Sequence, residues 1–237
     1  MILRAGQASN RSELSANADS EHALNDLCRI YWYPVYAFAR RQGIAAENAQ
    51  DLVQAFFLDL LERGSLAVAS PERGRFRNFL LTSFRNFHSK QRERGNALKR
   101  GGGKTIVSFE TEEAEQRFGL TEGTGGSPEQ HFLREWTLDL LKDSLAELRK
   151  TYLAREQIDL FDALQDYLAD TVPPPYEDVA QKLGKSVGSV RVALHRLRGR
   201  YRSAVRAAVA NTLEDSSDAN IERELAELTM ALSFESV

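Results

Sequence analysis

From Arg73 to Lys104 the chain interleaves cations with aromatic rings: Arg73, Arg75, Phe76, Arg77, Phe79, Phe84, Arg85, Phe87, Lys90, Arg92, Arg94, Lys99, Arg100 and Lys104, with Glu93 the one acid among them. Aromatic faces stack on unpaired bases while arginines follow a phosphate backbone, so this combination suits single-stranded or melting nucleic acid. Phe76, Phe79, Leu80, Phe84 and Phe87 also fall at helical core spacing, which suits several of them equally to burial. A second basic block, Lys182, Lys185, Arg191, Arg196, Arg198, Arg200, Arg202 and Arg206, contains no acid. The formal net charge of -3 hides these blocks, because an acidic stretch (Glu110, Glu112, Glu113, Glu115, Glu122) and an acidic tail (Glu214, Asp215, Asp218, Glu222, Glu224, Glu227, Glu235) offset them. Two separated basic patches on a near-neutral chain point to two contacts with a polyanion.

The second block sits on a recognisable spacing. Ala180 is small where two helices must cross closely, Gly184 supplies a left-handed turn residue, and Ser186 is placed to cap a following helix. Val190 and Leu194 face back toward a core. This is the spacing of a helix-turn-helix. The second helix exposes Ser189, Arg191, Val192, His195, Arg196, Arg198 and Arg200, a surface suited to phosphates and guanine edges in a major groove. An arginine-rich solvent face on a helical hairpin is the plainer alternative, but such faces usually mix signs.

Catalytic chemistry finds little footing. His22, His88, His131 and His195 are scattered without metal-ligand spacing, and no paired carboxylates accompany the basic faces, so neither a metal nor an enzymatic role is expected. Gly103-Lys104-Thr105 resembles the end of a phosphate-binding loop, but Leu98 stands where that loop needs glycine. No cofactor is implied. Cys28 is the single cysteine and falls at an apolar helical position, so it reads as core. No apolar run is long enough to span a bilayer, and the first residues carry no signal pattern, so a cytoplasmic location without membrane contact is expected.

These side chains have to be positioned by helices. Strand signals are nearly absent. Leu24, Leu27, Tyr31, Val35 and Phe38 mark one helix, which Pro34 should kink or break and Gly43 should end. Leu52, Val53, Phe56, Phe57 and Leu60 mark a second, and the aromatic-basic run from Phe76 a third, stopped by Gly101–Gly103. Helical spacing resumes near Pro128 and again over Leu160–Leu168, before Pro173–Pro175 punctuate. A last amphipathic segment holds Ile221, Leu225, Leu228 and Leu232. The expected architecture is all-α. Residues 1–20 are expected to be disordered, a helical module over 21–98 and a second over 131–210 are expected to be joined by a flexible acidic linker over 99–130, and an acidic extension is expected over 211–237. The tail's acids are placed to mask the basic helix-turn-helix by charge.

Three stretches, taken in order, carry a resemblance: Asp51–Leu61, Phe76–Asn86 and the helix-turn-helix ending Val190–Arg198. Together the chain resembles an extracytoplasmic-function (ECF) RNA polymerase sigma factor over roughly residues 21–98 and 131–210. The resemblance implies a sigma region 2 helical bundle and a sigma region 4 helix-turn-helix, with core RNA polymerase and promoter DNA as partners and room for an anti-sigma factor. Glu47, Asp51, Gln54 and Phe57 match the surface that docks on the clamp helices of the polymerase's largest subunit. The loop from Ser65 to Arg75, which holds Ser70, Arg73 and Arg75, resembles the one that captures a flipped −10 base. Phe76, Arg77, Phe79, Arg85 and Asn86 match the helix that opens and holds the non-template strand. Arg191, Val192, His195 and Arg196, flanked by Ser189, Arg198 and Arg200, match the face that reads the −35 element. The linker matches the segment threading the polymerase channels. Departures are Phe79 for a frequent Trp, Lys90 for Asp, Asn48 and Gln50 for acids, and Val192-Ala193 for Ser-Arg. The plainer functional alternative is a conventional helix-turn-helix regulator.

Overall fold

Apolar residues at three- and four-residue spacing decide where the helices lie. The computed structural model describes residues 30–62, 75–93, 111–121, 125–168, 172–213 and 215–233, and every regular element among them is helical. The elements are α1 (30–41), α2 (Ala46–Glu62), α3 (Phe76–Glu93), α4 (Thr111–Gly119), α5 (Pro128–Leu153), α6 (Ile158–Leu164) with a 3-10 turn at Gln165–Leu168, α7 (Tyr176–Leu183), α8 (Val187–Ala210) and α9 (Asp218–Leu232). Among the described residues no helix is long and apolar enough to cross a membrane. Cys28, Ser70, Arg73 and Gly101–Gly103 lie outside the described residues.

Two compact units emerge. Among the described residues, the first contains those up to Asp139 together with those from Ala210 onward; the second is Leu140–Val209. The first unit is built on aromatic packing. Tyr31 of α1 meets Phe76 of α3 and Trp136 of α5, while Phe38 meets Phe84 edge-on and Phe132 near-perpendicularly. Phe56 of α2 closes on Phe84 at 5.3 Å. Such ring pairs add roughly 0.5–1.5 kcal/mol each beyond the area they bury. Residues 30–41 are helical through Pro34, so of the kink or break expected there the break does not occur; Tyr31, Val35 and Phe38 stay on one buried face. Gly43, at φ 82°, does end the helix, a conformation that costs glycine nothing.

Thr111–Gly119 corrects the expectation of an unbroken flexible linker. Within it Ala114 and Phe118, four residues apart, give α4 a buried edge. Its polar residues hold it to the first unit: Glu115 takes Arg40 at 2.7 Å and the Tyr36 hydroxyl, and Arg117 reaches Glu135 and Asp139, each at 2.7 Å. The start of α5 is fixed by a reciprocal cap. Gln130 N–H donates to Ser127 Oγ, Ser127 N–H donates to Gln130 Oε1, and Pro128 occupies the first helical position, where its missing donor costs nothing.

The second unit packs the later part of α5, α6, α7 and α8 around Tyr152, Phe161, Leu164, Val190, Leu194 and Leu197. Tyr167 stacks on Tyr176 at 5.2 Å and donates its hydroxyl to the Pro174 carbonyl, tying the proline run to the body.

Candidate nucleic-acid interface

The local chemistry of the turn between α7 and α8 is what aims α8. Gly184 sits at φ 61°, ψ 34°, and its N–H donates to the Gln181 carbonyl at 3.2 Å while Lys185 N–H reaches the Ala180 carbonyl at 2.9 Å. That pair of bonds satisfies the last carbonyls of α7 through a left-handed residue. Ser186 Oγ then accepts the Ser189 N–H at 3.2 Å, capping α8. Val190, Leu194 and Leu197 are buried, and Ala180 is buried in the same core cluster. Two helices joined by a short left-handed turn therefore stand where the residues predicted them.

An α-helix turns about 100° per residue. Opposite the buried Val190, Leu194 and Leu197, α8 presents Val192, His195 and Arg196, all exposed, with Val192 at 51%. Arg191 and Arg198 flank this strip on one side and Arg200 and Ser189 on the other. The flanks are tied to the body: Arg191 lies 5.3 Å over the Tyr176 ring, Arg198 donates to the Tyr167 carbonyl at 3.3 Å, and Arg200 lies 5.2 Å over the Tyr152 ring. No ion pair with an acid among the described residues engages Arg191, Arg196, Arg198 or Arg200. An unneutralised cationic strip around a small apolar centre can contact phosphates at its edges and base edges or a thymine methyl at its centre.

The aromatic-basic helix α3 is different. Phe76 and Arg77, expected to hold an opened strand, are 8% and 6% exposed, which corrects their placement on a free surface. Phe76 packs edge-on against Tyr31 and 6.0 Å from Phe79, which is itself half-buried. Arg77 lies 5.4 Å over the Trp136 ring. The carboxylates of α9 take up the charges: Glu224 pairs with Arg75 at 2.8 Å and with Arg77, and Glu227 pairs with Arg75 and, at 2.9 Å, with Arg77. Burial pushes the Arg77 guanidinium down to about 10, with Arg75 beside it acting the same way, so it stays charged at neutral pH. The hydrogen bond from Arg75 holds the Glu227 carboxyl below its ordinary range. The tail's acids Glu224 and Glu227 are thus spent on α3, correcting the expectation that they shield the helix-turn-helix.

Further along α3, Asn86 is exposed, and Arg85 is exposed but paired with Glu129. A cavity of about 400 Å³ opens beside Arg75, Asn78, Thr82, Arg85, Gln130 and Glu227. On α2, Glu47 and Asp51 are exposed and Gln54 is half-buried. Phe57, expected on the same docking surface, is 2% exposed and packs 5.4 Å from Phe56, so it belongs to the core. Among the described residues no cluster of His, Cys, Asp or Glu has the arrangement to hold a metal.

In the sequence Glu224 counts only among the tail's acids, with no expectation of its burial against α3. The signal was present: it lies three residues after Ile221 and four before Leu228, on the apolar stripe of α9. An acid on a buried stripe calls for a buried cation. Comparison with known protein families, with curated proteins and with solved structures gave no match.

Proposed function

We propose that this chain is a transcription-initiation factor of the sigma type, which joins core RNA polymerase and directs it to promoter DNA. The observation that carries the reading is the exposed, acid-free strip Val192, His195, Arg196 on a helix aimed by a capped left-handed turn. On this reading, lysine and arginine contacts to phosphates supply salt-dependent affinity. Val192, His195 and Arg196 read base edges, and Arg191, Arg198 and Arg200 fix the register. α3 engages the opened strand through Arg75, Arg85 and Asn86, with the half-buried Phe79 and Phe87 as the aromatic rings partly open to a base. Glu47, Asp51 and Gln54 dock on the polymerase. RNA synthesis itself belongs to the polymerase.

The test is run-off transcription from a promoter library with purified core polymerase, with and without this chain. Promoter-specific transcripts that require the chain support the proposal; their absence, together with no retention of the chain by core polymerase, removes it. A second reading, a conventional helix-turn-helix regulator, is favoured by the burial of Phe57, Phe76 and Arg77, which leaves less of the first unit available for docking and strand capture. It is separated by one measurement: a regulator binds its duplex site tightly alone, whereas a sigma-type factor needs core polymerase.

A further inference from the structure

The pairing of α9 with α3 has the chemistry of an anion exchange. Arg75 and Arg77 each hydrogen-bond to the Glu227 carboxylate and lie in ion-pair contact with Glu224, whose buried oxygens take no hydrogen bond. Arg75 Nη2 donates to Glu227 Oε1 at 2.7 Å and its Nε faces Glu224 at 2.8 Å; Arg77 Nη2 donates to Glu227 Oε2 at 2.9 Å and its Nη1 faces Glu224. Carboxylate oxygens in this fork occupy the positions that phosphate oxygens take on arginine. The contact is part of a packed helix face, because Glu224 is fully buried on the same stripe as Ile221, Leu228 and Ala231.

The two acids are not equivalent. The Glu224 side chain is inaccessible, whereas that of Glu227 is 41% exposed and lines the cavity beside Arg75, Asn78 and Arg85. An incoming anion therefore meets Glu227 first and can displace it before α9 lifts. A buried arginine left without any anion is costly, so release of α9 favours a replacement anion over open solvent.

We infer that α9 is a built-in competitor for the strand-gripping helix: Glu224 and Glu227 hold Arg75 and Arg77 until the phosphates of a single strand displace them. This rests on the proposed role of α3 in engaging an opened strand. It adds a regulated state, in which strand binding and α9 docking exclude each other.

The test uses the full chain and a labelled single-stranded DNA, with a duplex of the same sequence as control, followed by fluorescence anisotropy across a salt series. In the E224Q/E227Q variant, single-strand affinity at low salt should rise about tenfold and its salt dependence should steepen by about 1.4 in log–log slope, about 0.7 for each freed arginine. Weak, sequence-independent binding of the duplex at low salt, carried by phosphate contacts of α8, should not change. Unchanged or weaker single-strand binding by the folded variant overturns the inference. Because the variant leaves Arg77 buried without its anions, a second arm uses the unmodified chain. Amide exchange across Asp218–Leu232 should accelerate when the single strand is bound, with α2 unaffected; unchanged or slower exchange there, or no single-strand binding by either form, overturns it. A chain that directs run-off transcription yet shows neither effect keeps its proposed function and loses the competitor. One that shows both effects but never joins core polymerase keeps the competitor and loses the sigma-type role.

Discussion

Arg77 and Glu227 stand 150 residues apart in the sequence, and their side chains meet at 2.9 Å. The consequence is a dependence of α9 docking on pH. Hydrogen bonding from Arg75 holds the Glu227 carboxyl below its ordinary range. A carboxylate whose pKa is depressed by folding contributes stability that is present above its unfolded value and lost as the pH falls through the folded one. The window therefore lies below about pH 4, the usual range of a free glutamate. Trp136, stacked with Arg77, is the local reporter in a Trp32→Phe background, since the chain has 2 tryptophans. Its emission should hold from neutral pH into that window and then change, with the change weakened in Glu227→Gln. A transition centred well above the window would contradict the assignment.

Arg117 should be a stability determinant of the first unit. It lies 3.7 Å over the Tyr33 ring and joins α4 to Glu135, which is 2% exposed. Removing it leaves the buried Glu135 with Arg134, at 3.4 Å, as its one remaining cationic partner among the described residues. Arg117→Ala is expected to cost about 2–3 kcal/mol in urea unfolding. Arg117→Lys should recover only part of this, because a point charge cannot reproduce the planar fork. A cost no larger than that of an ordinary exposed pair would show that α4 contributes little.

Gly184 and Ser186 should separate backbone strain from capping. Open space surrounds the position a Gly184 side chain would occupy, so substitution there meets only the left-handed conformation. Gly184→Val should destabilise the second unit by about 1–2 kcal/mol, with Gly184→Asn milder. Ser186→Ala should cost about 1 kcal/mol through the lost cap. Equal melting temperatures for Gly184→Val and the parent chain would refute the turn's role.

Arg196 and Arg198 should part company in DNA binding. Arg196 stands on the central strip, whereas Arg198 donates to the Tyr167 carbonyl. Arg196→Ala should relax discrimination at one base position by ~1–3 kcal/mol. Arg198→Ala should lower stability by about 1 kcal/mol and weaken all sequences alike. Binding across a set of single-base variants of the selected site distinguishes them; uniform weakening by Arg196→Ala would reduce it to a phosphate contact.

The residues themselves determined the helical class, the helix starting at Phe76, the block beginning at Pro128 and the whole turn from Ala180 through Gly184 and Ser186 to Val190. Each depends on neighbours within a few positions, where spacing and capping act directly. The fate of the aromatic-basic stretch was open in the sequence, because Phe76 and Arg77 have the same composition whether they face a strand or a core. Tertiary structure decided it by bringing Glu224 and Glu227 onto Arg75 and Arg77 from the far end of the chain. It decided the acidic connection too, where Ala114 and Phe118 carry a nine-residue helix whose periodicity is too short to stand out, and whose Glu115 and Arg117 find partners only once α1 and α5 are in place. Burial of a charge is a property of what lies opposite, and no window of local sequence contains that information.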